Sequence, residues 1–242
     1  MEFKYKDIDQ DGSEVLDVIS SANKFNKWMY EKISPFCTGN ILEIGSGLGN
    51  ISQYFIKDNR SIFLSDIRPN YRNFIKETFN LDNAKVLDID ITDVDFNNNY
   101  PHLLGKFDSV FCLNVLEHIK DDHLAIENMT NLLKDNGRLT VLVPAHQILY
   151  NGIDTTLQHY KRYNKITFKE LILKHENITV LFYFNAIGIL AWFIGGKLFK
   201  NNTIPKSEMK LYNYLVPFWK IIDMITFSKI GLSLVCVIKK NT

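Results

Sequence analysis

Short apolar runs recur along this chain, and between them lie longer stretches in which apolar residues return every three or four positions. Runs of four to eight residues rich in β-branched and aromatic types read as strands, and the longer periodic stretches read as helices. Strands are accordingly predicted near 40–45, 61–66, 84–90, 107–113 and 138–143, alternating with helices near 48–58, 70–79 and 121–134. Two more strands are expected, near 178–184 and 232–238. A helix over about Ser13 to Ile33 precedes them all and ends at Ser34-Pro35, because the residue before proline resists the α region. Asn136-Gly137 marks the turn into the fifth strand, with Gly137 placed to take a left-handed conformation. Alternation of this kind demands a parallel sheet with helices on both faces.

The pattern changes after Asn177. Residues 177–196 carry no formal charge and reach the roughly 20-residue length of a membrane span. Their first half is β-branched and aromatic, however, and Asn185 and three glycines interrupt the rest. Spanning would also place the strand Leu232 to Ile238 across the bilayer from the sheet that needs it. The segment therefore reads as a strand followed by a helix. Beyond it, Ile187 to Phe199 and Met209 to Phe227 are apolar around most of their circumference, with polar residues confined to a stripe of Lys210, Asn213, Lys220 and Asp223. A helix like that is buried against protein or lies in a membrane interface. Core packing, a lipid or interface role through 187–227, and dimerisation all stay open.

Composition narrows the class. At 242 residues and 46% hydrophobic content the chain can bury one full α/β core, and no Pro/Ser/Gly-rich linker or repeat divides it. Cys37, Cys112 and Cys236 are widely separated, which reads as core residues of a reducing cytoplasm rather than a disulfide framework or zinc site. The start, Met1 to Asp7, is charged and lacks the apolar stretch of a signal peptide. Net charge is +1, yet residues 197–242 hold eight lysines against Glu208 and Asp223, so a basic C-terminal region follows an acidic remainder. Near-neutral charge gives nucleic acid little electrostatic purchase.

Candidate chemistry begins at Ile41-Leu42-Glu43-Ile44-Gly45-Ser46-Gly47-Leu48-Gly49-Asn50, a strand delivered into a glycine-rich turn that opens a helix. Glycine lets the backbone approach a ligand closely, and the helix start points free N–H groups at it. A dinucleotide fingerprint would need glycine at position 50, where this chain has Asn50. The pattern present, E-x-G-x-G-x-G, closely resembles that of class I S-adenosylmethionine-dependent methyltransferases. Further segments carry the same resemblance. The second strand, Ser61 to Asp66, ends in a carboxylate 21 residues after Gly45, suited to ribose hydroxyls. Asp90-Ile91 fits the family's adenine contact, with Asp88 as the register alternative. Phe107 to His118 matches the family's F-D-x-V-x-x-x-N-V-L-E-H signature almost letter for letter.

The resemblance implies a cofactor set of Glu43, Gly45, Ser46, Gly47, Gly49, Asp66, Ile67, Asp90, Ile91, Asn114 and Val115. Glu43 would position the methionine amino group through the loop, and Asn114 would lie beside the sulfonium. His118 is either a general base or a brace at the start of the following helix. No N/D-P-P-Y/F corner of a nucleic-acid methyltransferase follows the fourth strand.

After the fifth strand come Pro144-Ala145-His146-Gln147, Asp154 and His159-Tyr160-Lys161-Arg162-Tyr163. This is similar to the V-P-A-H … D-x-x-x-x-H-x-x-R-Y arrangement of a prokaryotic branch of the same family associated with glycan or lipid-linked sugar assembly. Carboxyl ends of parallel strands face the ligand crevice, so the loop opens over the donated methyl group. A hydroxyl acceptor must lose a proton, and histidine is the usual base near neutral pH. His146 and His159 are the candidates, with His146 favoured because it directly follows the strand, and Asp154 could orient one of them. Tyr160, Lys161, Arg162, Tyr163 and Asn185 are the candidate acceptor contacts, the two cations suiting an anionic group. The histidines lack metal-ligand spacing and no acidic cluster accompanies them, so no metal is expected.

The expectation is a single α/β domain with a Rossmann-like seven-stranded methyltransferase sheet whose last strand is antiparallel. It comprises an N-terminal helical cap (1–37), a cofactor-binding core (38–185), a helical insertion between the last two strands (186–230) and the final strand (231–238). The function expected is methyl transfer from S-adenosylmethionine, yielding S-adenosylhomocysteine, to a small or lipid-linked acceptor. O-methylation of a sugar or sugar acid is the leading form, with N- or C-methylation and a non-catalytic binding module as alternatives. The location expected is cytoplasmic, with peripheral membrane contact open.

Overall fold

The computed structural model describes residues 17–172 and 177–241. The predicted helix start at Ser13 and the charged first residues lie outside them. Residues 17–20 are helical, and the chain then breaks at Ser21-Ala22 before α1 (Asn23–Ile33), so the single long helix expected there is interrupted. Strands β1 (Ile41–Ile44), β2 (Ile62–Ser65), β3 (Val86–Leu87), β4 (Phe107–Leu113) and β5 (Leu133–Pro144) follow in the predicted order. Helices α2 (Ser52–Lys57), α3 (Pro69–Phe79), the short α4 (Phe96–Asn99) and α5 (Asp122–Asn131) separate them. After β5 come α6 (Gly152–Thr156), α7 (Lys165–Ile172), β6 (Asn177–Phe184), α8 (Ala186–Trp192) with a π-helical continuation over Phe193–Leu198, α9 (Lys206–Tyr214), α10 (Val216–Ile225) and β7 (Ser233–Lys239).

All seven strands join one sheet in the order β3-β2-β1-β4-β5-β7-β6. Strands β1 to β5 are parallel, and β7 runs antiparallel between β5 and β6. This is the Rossmann-like methyltransferase sheet. Two apolar cores sandwich it. On one face Trp28, Phe55, Ile75 and Val216 bring α1, α2, α3 and α10 against the sheet; on the other, Phe96, Met129 and Phe168 bring α4, α5 and α7. Cys37, Cys112 and Cys236 are free and buried in these layers. No helix of the described residues is long and apolar enough to cross a membrane.

Three local departures have physical causes. The predicted 84–90 strand shrinks to two residues because β3 is an edge with only β2 to pair with, and the chain beyond it turns away as Arg72 takes Asp88 at 2.8 Å. The second helix begins at Ser52 rather than near Leu48 because residues 47–51 close tight turns, Gly49 N–H donating to the Ser46 carbonyl at 2.8 Å. β5 already begins at Leu133, so Asn136-Gly137 falls inside it at the register shift against β4, and it is Asn136, not Gly137, that takes positive φ (62°). Gly137 serves by its size instead: a Cβ there would sit 2.9 Å from the Lys134 carbonyl oxygen.

Candidate active site

Because β1, β2 and β4 are in parallel register, with Ile44 opposite both Ser65 and Cys112, their carboxyl ends finish level and the loops that leave them share one crevice. A cavity of about 440 Å³ fills it and continues under the 186–230 insertion. Of the candidate cofactor residues, Glu43, Gly45, Ser46, Gly47, Asp66, Ile67, Asp90, Ile91, Asn114 and Val115 line this cavity. Gly49 does not. Its φ of +74° and a hypothetical Cβ only 2.3 Å from the Phe79 ring show that it lets the loop pass α3. Asp88 is exposed and spent on Arg72, so the fold selects Asp90 of the two register choices.

The glycine turn is held from below. Asp66 accepts from Gly47 N–H at 3.0 Å and from Arg68 N–H at 2.9 Å, while the Ser46 and Ser65 backbones join at 2.8 Å. Glu43 is buried and accepts from the Ser52 hydroxyl; burial pushes its carboxyl up to about 8 despite that bond. Gly45 has φ +71°, and a Cβ would lie 2.4 Å from Val115 Cγ2, so only glycine leaves the space above the turn open. A backbone cradle kept clear in this way, with the buried carboxyl groups of Glu43 and Asp66 at its rim, fits the amino, sulfonium and ribose groups of S-adenosylmethionine. Asn114, at φ 52°, donates its N–H to the Leu142 carbonyl at 2.8 Å, which turns the chain off β4 and over the cavity.

The far end of the cavity is made by the segment after β5. Pairing of Ala145 with Tyr163 closes residues 147–162 into an excursion whose neck is the His146 N–H to Tyr163 carbonyl bond at 2.7 Å. Inside it Asp154 is fully buried and triply engaged. It accepts from Asn151 N–H at 3.0 Å as part of a capping box on α6, from Arg162 Nε at 2.8 Å, and meets His159 Nδ1 at 2.8 Å. Burial raises its carboxyl, but the His159 hydrogen bond and the Arg162 charge outweigh that and hold it below the usual carboxylate range. The His159 ring is thereby aimed at Glu117, with Nε2 3.9 Å from Oε1.

The two candidate bases now separate. His159 and Asp154 form a dyad, and His159 lines the cavity. His146 lies against the Tyr183 ring at 4.8 Å, has positive φ (64°), and is not a cavity residue. Direct descent from the strand, the reason for favouring it, puts it under the loop rather than over the crevice. Of the acceptor candidates, Arg162 and Asn185 line the cavity. Lys161 binds Asp122 at 2.7 Å and Tyr163 donates to the same carboxylate at 2.9 Å, so both brace the start of α5 instead of facing a ligand. Tyr160 is likewise off the cavity, its N–H donating to the Glu117 carbonyl at 2.8 Å. Arg162 is itself neutralised by Asp154 and lies 4.6 Å from the Trp192 ring.

Glu117 is the residue that sequence reasoning passed over. It is 0% exposed, lines the cavity, and neither carboxylate oxygen has a partner. Burial raises its carboxyl to about 7, with His159 and Arg162 opposing. Its neighbour His118 also lines the cavity, and burial, reinforced by His159, lowers it to about 3, which keeps the ring neutral. The Trp192 indole N–H is a second buried group without a hydrogen-bond partner, on the insertion side of the cavity. Sequence spacing suggested no metal-ligand set, yet the fold brings one carboxylate to two histidines: ligand atoms of Glu117, His118 and His159 lie within 4.8 Å of one another, an arrangement able to hold a cation. The signal for Glu117 was its place, four residues past a strand end on the ligand edge; a charged residue there reads as solvated until the fold buries it.

Comparison with known proteins bears on the domain and the fold. Residues 42–139 match the model of a methyltransferase domain family. That stretch holds the glycine turn, Asp66, Asp90 and the β4 corner. An uncharacterized methyltransferase of Schizosaccharomyces pombe is 33% identical over 109 residues, 42% of this chain and 37% of that protein. The (S)-coclaurine N-methyltransferase of Papaver somniferum is 23% identical over 168 residues, 65% of this chain and 45% of that protein. The chain thus spans less than half the length of these curated relatives. Among solved structures, a SAM-dependent methyltransferase from Archaeoglobus fulgidus superposes with a TM-score of 0.57 at 15% identity, covering 89% of this chain and 94% of that one. The methyltransferase fold therefore extends on both sides of the matched domain.

Proposed function

We propose that this chain transfers the methyl group of S-adenosylmethionine to an oxygen of a small or lipid-linked acceptor, a sugar or sugar acid, in the cytoplasm. The observation that carries the reading is one cavity with two differently built ends. The cofactor end is backbone and carboxylate around Gly45 and Gly47. The other end presents an unpartnered carboxylate, Glu117, and an unpartnered indole N–H, Trp192, beside the His159–Asp154 dyad. A sugar hydroxyl both donates and accepts, so it complements that pair where an apolar acceptor would leave both groups unpaired.

When bound, S-adenosylmethionine supplies an electrophilic methyl carbon attached to a sulfonium leaving group. The protein's part is alignment and proton handling. The acceptor hydroxyl donates to Glu117 or to His159 Nε2, which is bare because Nδ1–H is held by Asp154. As the oxygen–carbon bond forms, the proton passes to Nε2 and the imidazolium is stabilised by Asp154. Arg162 keeps Asp154 ionised for this task.

A second reading, N-methylation, is favoured by one specific feature: a buried, unpartnered carboxylate also complements an ammonium or amine acceptor. Product analysis separates the two. With S-adenosylmethionine and a panel of sugars, sugar acids, lipid-linked sugars and amines, mass spectrometry should find O-methyl product; N-methyl product would replace the sugar reading. Calorimetric titration with S-adenosylhomocysteine should give micromolar binding that Asp66→Ala abolishes. Absence of binding in the natural chain would end both readings, and binding without any acceptor-dependent turnover would leave a cofactor-binding module.

A further inference from the structure

The 186–230 insertion is built inside out. Asp223, from the polar stripe of α10, is 1% exposed and accepts from the N–H groups of Asn185 and Ala186 at 2.8 and 2.6 Å. Asn213 accepts from Phe25 N–H at 3.0 Å, and Lys220 pairs with Glu31 of α1. Three of the four stripe residues thus face the protein. The apolar circumference is left facing outward, with Phe218, Ile221 and Met224 exposed one helical turn apart along α10. Among the described residues only Phe74, Val94, Ile148 and Ile166 are exposed large apolar side chains outside 190–230; all the others fall within it. Phe227 is 80% exposed and Phe199 67%. A soluble surface of this length would carry its polar stripe outward and its apolar face inward.

The exposed charges of the segment are predominantly positive. Lys197, Lys200, Lys206, Lys210 and Lys229 are exposed, whereas of its two carboxylates Asp223 is buried and only Glu208, which also lines the cavity, is exposed. The inner walls of the same helices, Gly188, Trp192, Met209 and Tyr212, close the acceptor end of the cavity. One thin layer therefore separates an apolar, lysine-fringed exterior from the acceptor site.

We propose that the outer face of residues 190–230 docks on an anionic lipid bilayer, inserting Phe218, Met224 and Phe227 among the acyl chains while the lysines meet headgroup phosphates. Apolar side chains beside basic residues are the chemistry of interfacial binding, and the bilayer replaces the water that the outward apolar face cannot use. The proposal deepens the functional reading, since a lipid-linked acceptor would reach the cavity from the membrane plane, but its test does not depend on catalysis.

The test is flotation of the full chain with phosphatidylcholine vesicles with and without phosphatidylglycerol, at low and raised salt. The chain should float with the anionic vesicles at low salt and less so at raised salt. F218E/M224E, both largely exposed and off the cavity, should cut the bound fraction roughly tenfold or more while keeping the natural affinity for S-adenosylhomocysteine. K200E/K229E should remove mainly the salt-sensitive part. Failure of the natural chain to float, or flotation unchanged in F218E/M224E, would overturn the proposal. So would a natural dimer that F218E/M224E converts to monomer with neither form floating, which would assign the face to a second copy. Flotation only after removal of residues 1–16 would assign it to the chain's own start. A chain that floats yet neither binds S-adenosylhomocysteine nor turns over loses the methyl-transfer reading and keeps this one.

Discussion

The two ends of the cavity are made by different means. At the cofactor end the shape comes from backbone: a nine-residue stretch from Ile41 to Gly49 builds the turn, and of its strained glycines the one that lines the cavity against another loop, Gly45, is set by φ and by the nearness of Val115. At the acceptor end the shape comes from side chains brought from β4's exit, α6, the 157–163 loop and α8. Their charges are taken out of water: Asp154 is paired with Arg162 and His159, while Glu117 faces His159 at 3.9 Å and accepts no hydrogen bond. Local backbone geometry tolerates variation in surrounding side chains, so the first end can bind one invariant cofactor. A buried charge network has to be complete to be stable, so the second end is specific for what completes it.

The sharpest break of that contrast is Asp154→Ala. It should destabilise the fold by about 3–5 kcal/mol, because Arg162 is left buried and unpaired, and Arg162→Ala in the same chain should recover part of the loss. Denaturant unfolding of the two single variants and the double variant reads this, and additive effects would mean that the pair is not coupled.

Next in size is pH. Glu117 has its folded carboxyl raised to about 7, so the folded state holds a proton that the unfolded chain releases near 4.5. Its contribution therefore favours folding below the unfolded value and is lost as pH rises through the folded one, worth roughly 3 kcal/mol at most. Glu117→Gln should flatten that slope between about pH 4.5 and 7 and leave the cofactor end untouched. Asp154, held low, acts in the opposite sense: its contribution is present above its unfolded value and disappears as pH falls through its folded value. An unchanged slope in Glu117→Gln would show that this carboxyl is already ionised in the folded protein.

Gly45→Ala tests the backbone end. A left-handed alanine costs about 1–2 kcal/mol and its Cβ would press on Val115, so affinity for S-adenosylhomocysteine should fall roughly ten- to a hundredfold. Gly105→Ala is the matched control. Its φ is also positive (65°), yet nothing lies within 4 Å of the added carbon, so stability should drop by about 1 kcal/mol with affinity unchanged. Equal effects at the two glycines would remove the claim that Gly45 keeps a ligand space open.

The smallest expected effect is that of chelation. If Glu117, His118 and His159 work through protons, turnover should survive EDTA and dialysis. Loss of activity restored by a divalent cation would instead assign the trio as a metal site and recast His159 as a ligand.

Much of this was legible along the chain. Seven strands, their alternation with helices and the glycine turn each announce themselves within a dozen residues, because strand period, turn chemistry and glycine's positive φ are local properties. Boundaries were less legible where neighbours decide them, as at β3, which has only one partner strand, and at the broken start of α1. The acceptor end was half legible. His159, Asp154 and Arg162 were named from the family resemblance and from their chemistry, but so were His146, Lys161 and Tyr163, and nothing local tells which side of the loop each will face.

By itself, then, the order of residues determined the individual strands, the glycine turn and the existence of an apolar insertion, since each rests on contacts within one element or across one turn, whereas the sheet order pairs β1 with β4 and β5 with β7, elements far apart along the chain. Only the tertiary structure decided that Glu117 is buried without a partner, that His159 rather than His146 meets the cavity, and that the stripe of Asn213, Lys220 and Asp223 turns inward. Those outcomes depend on which surfaces are left after β7 inserts between β5 and β6 and draws the insertion back over the crevice. Burial is a property of the assembled layers, and a side chain's own letter does not carry it.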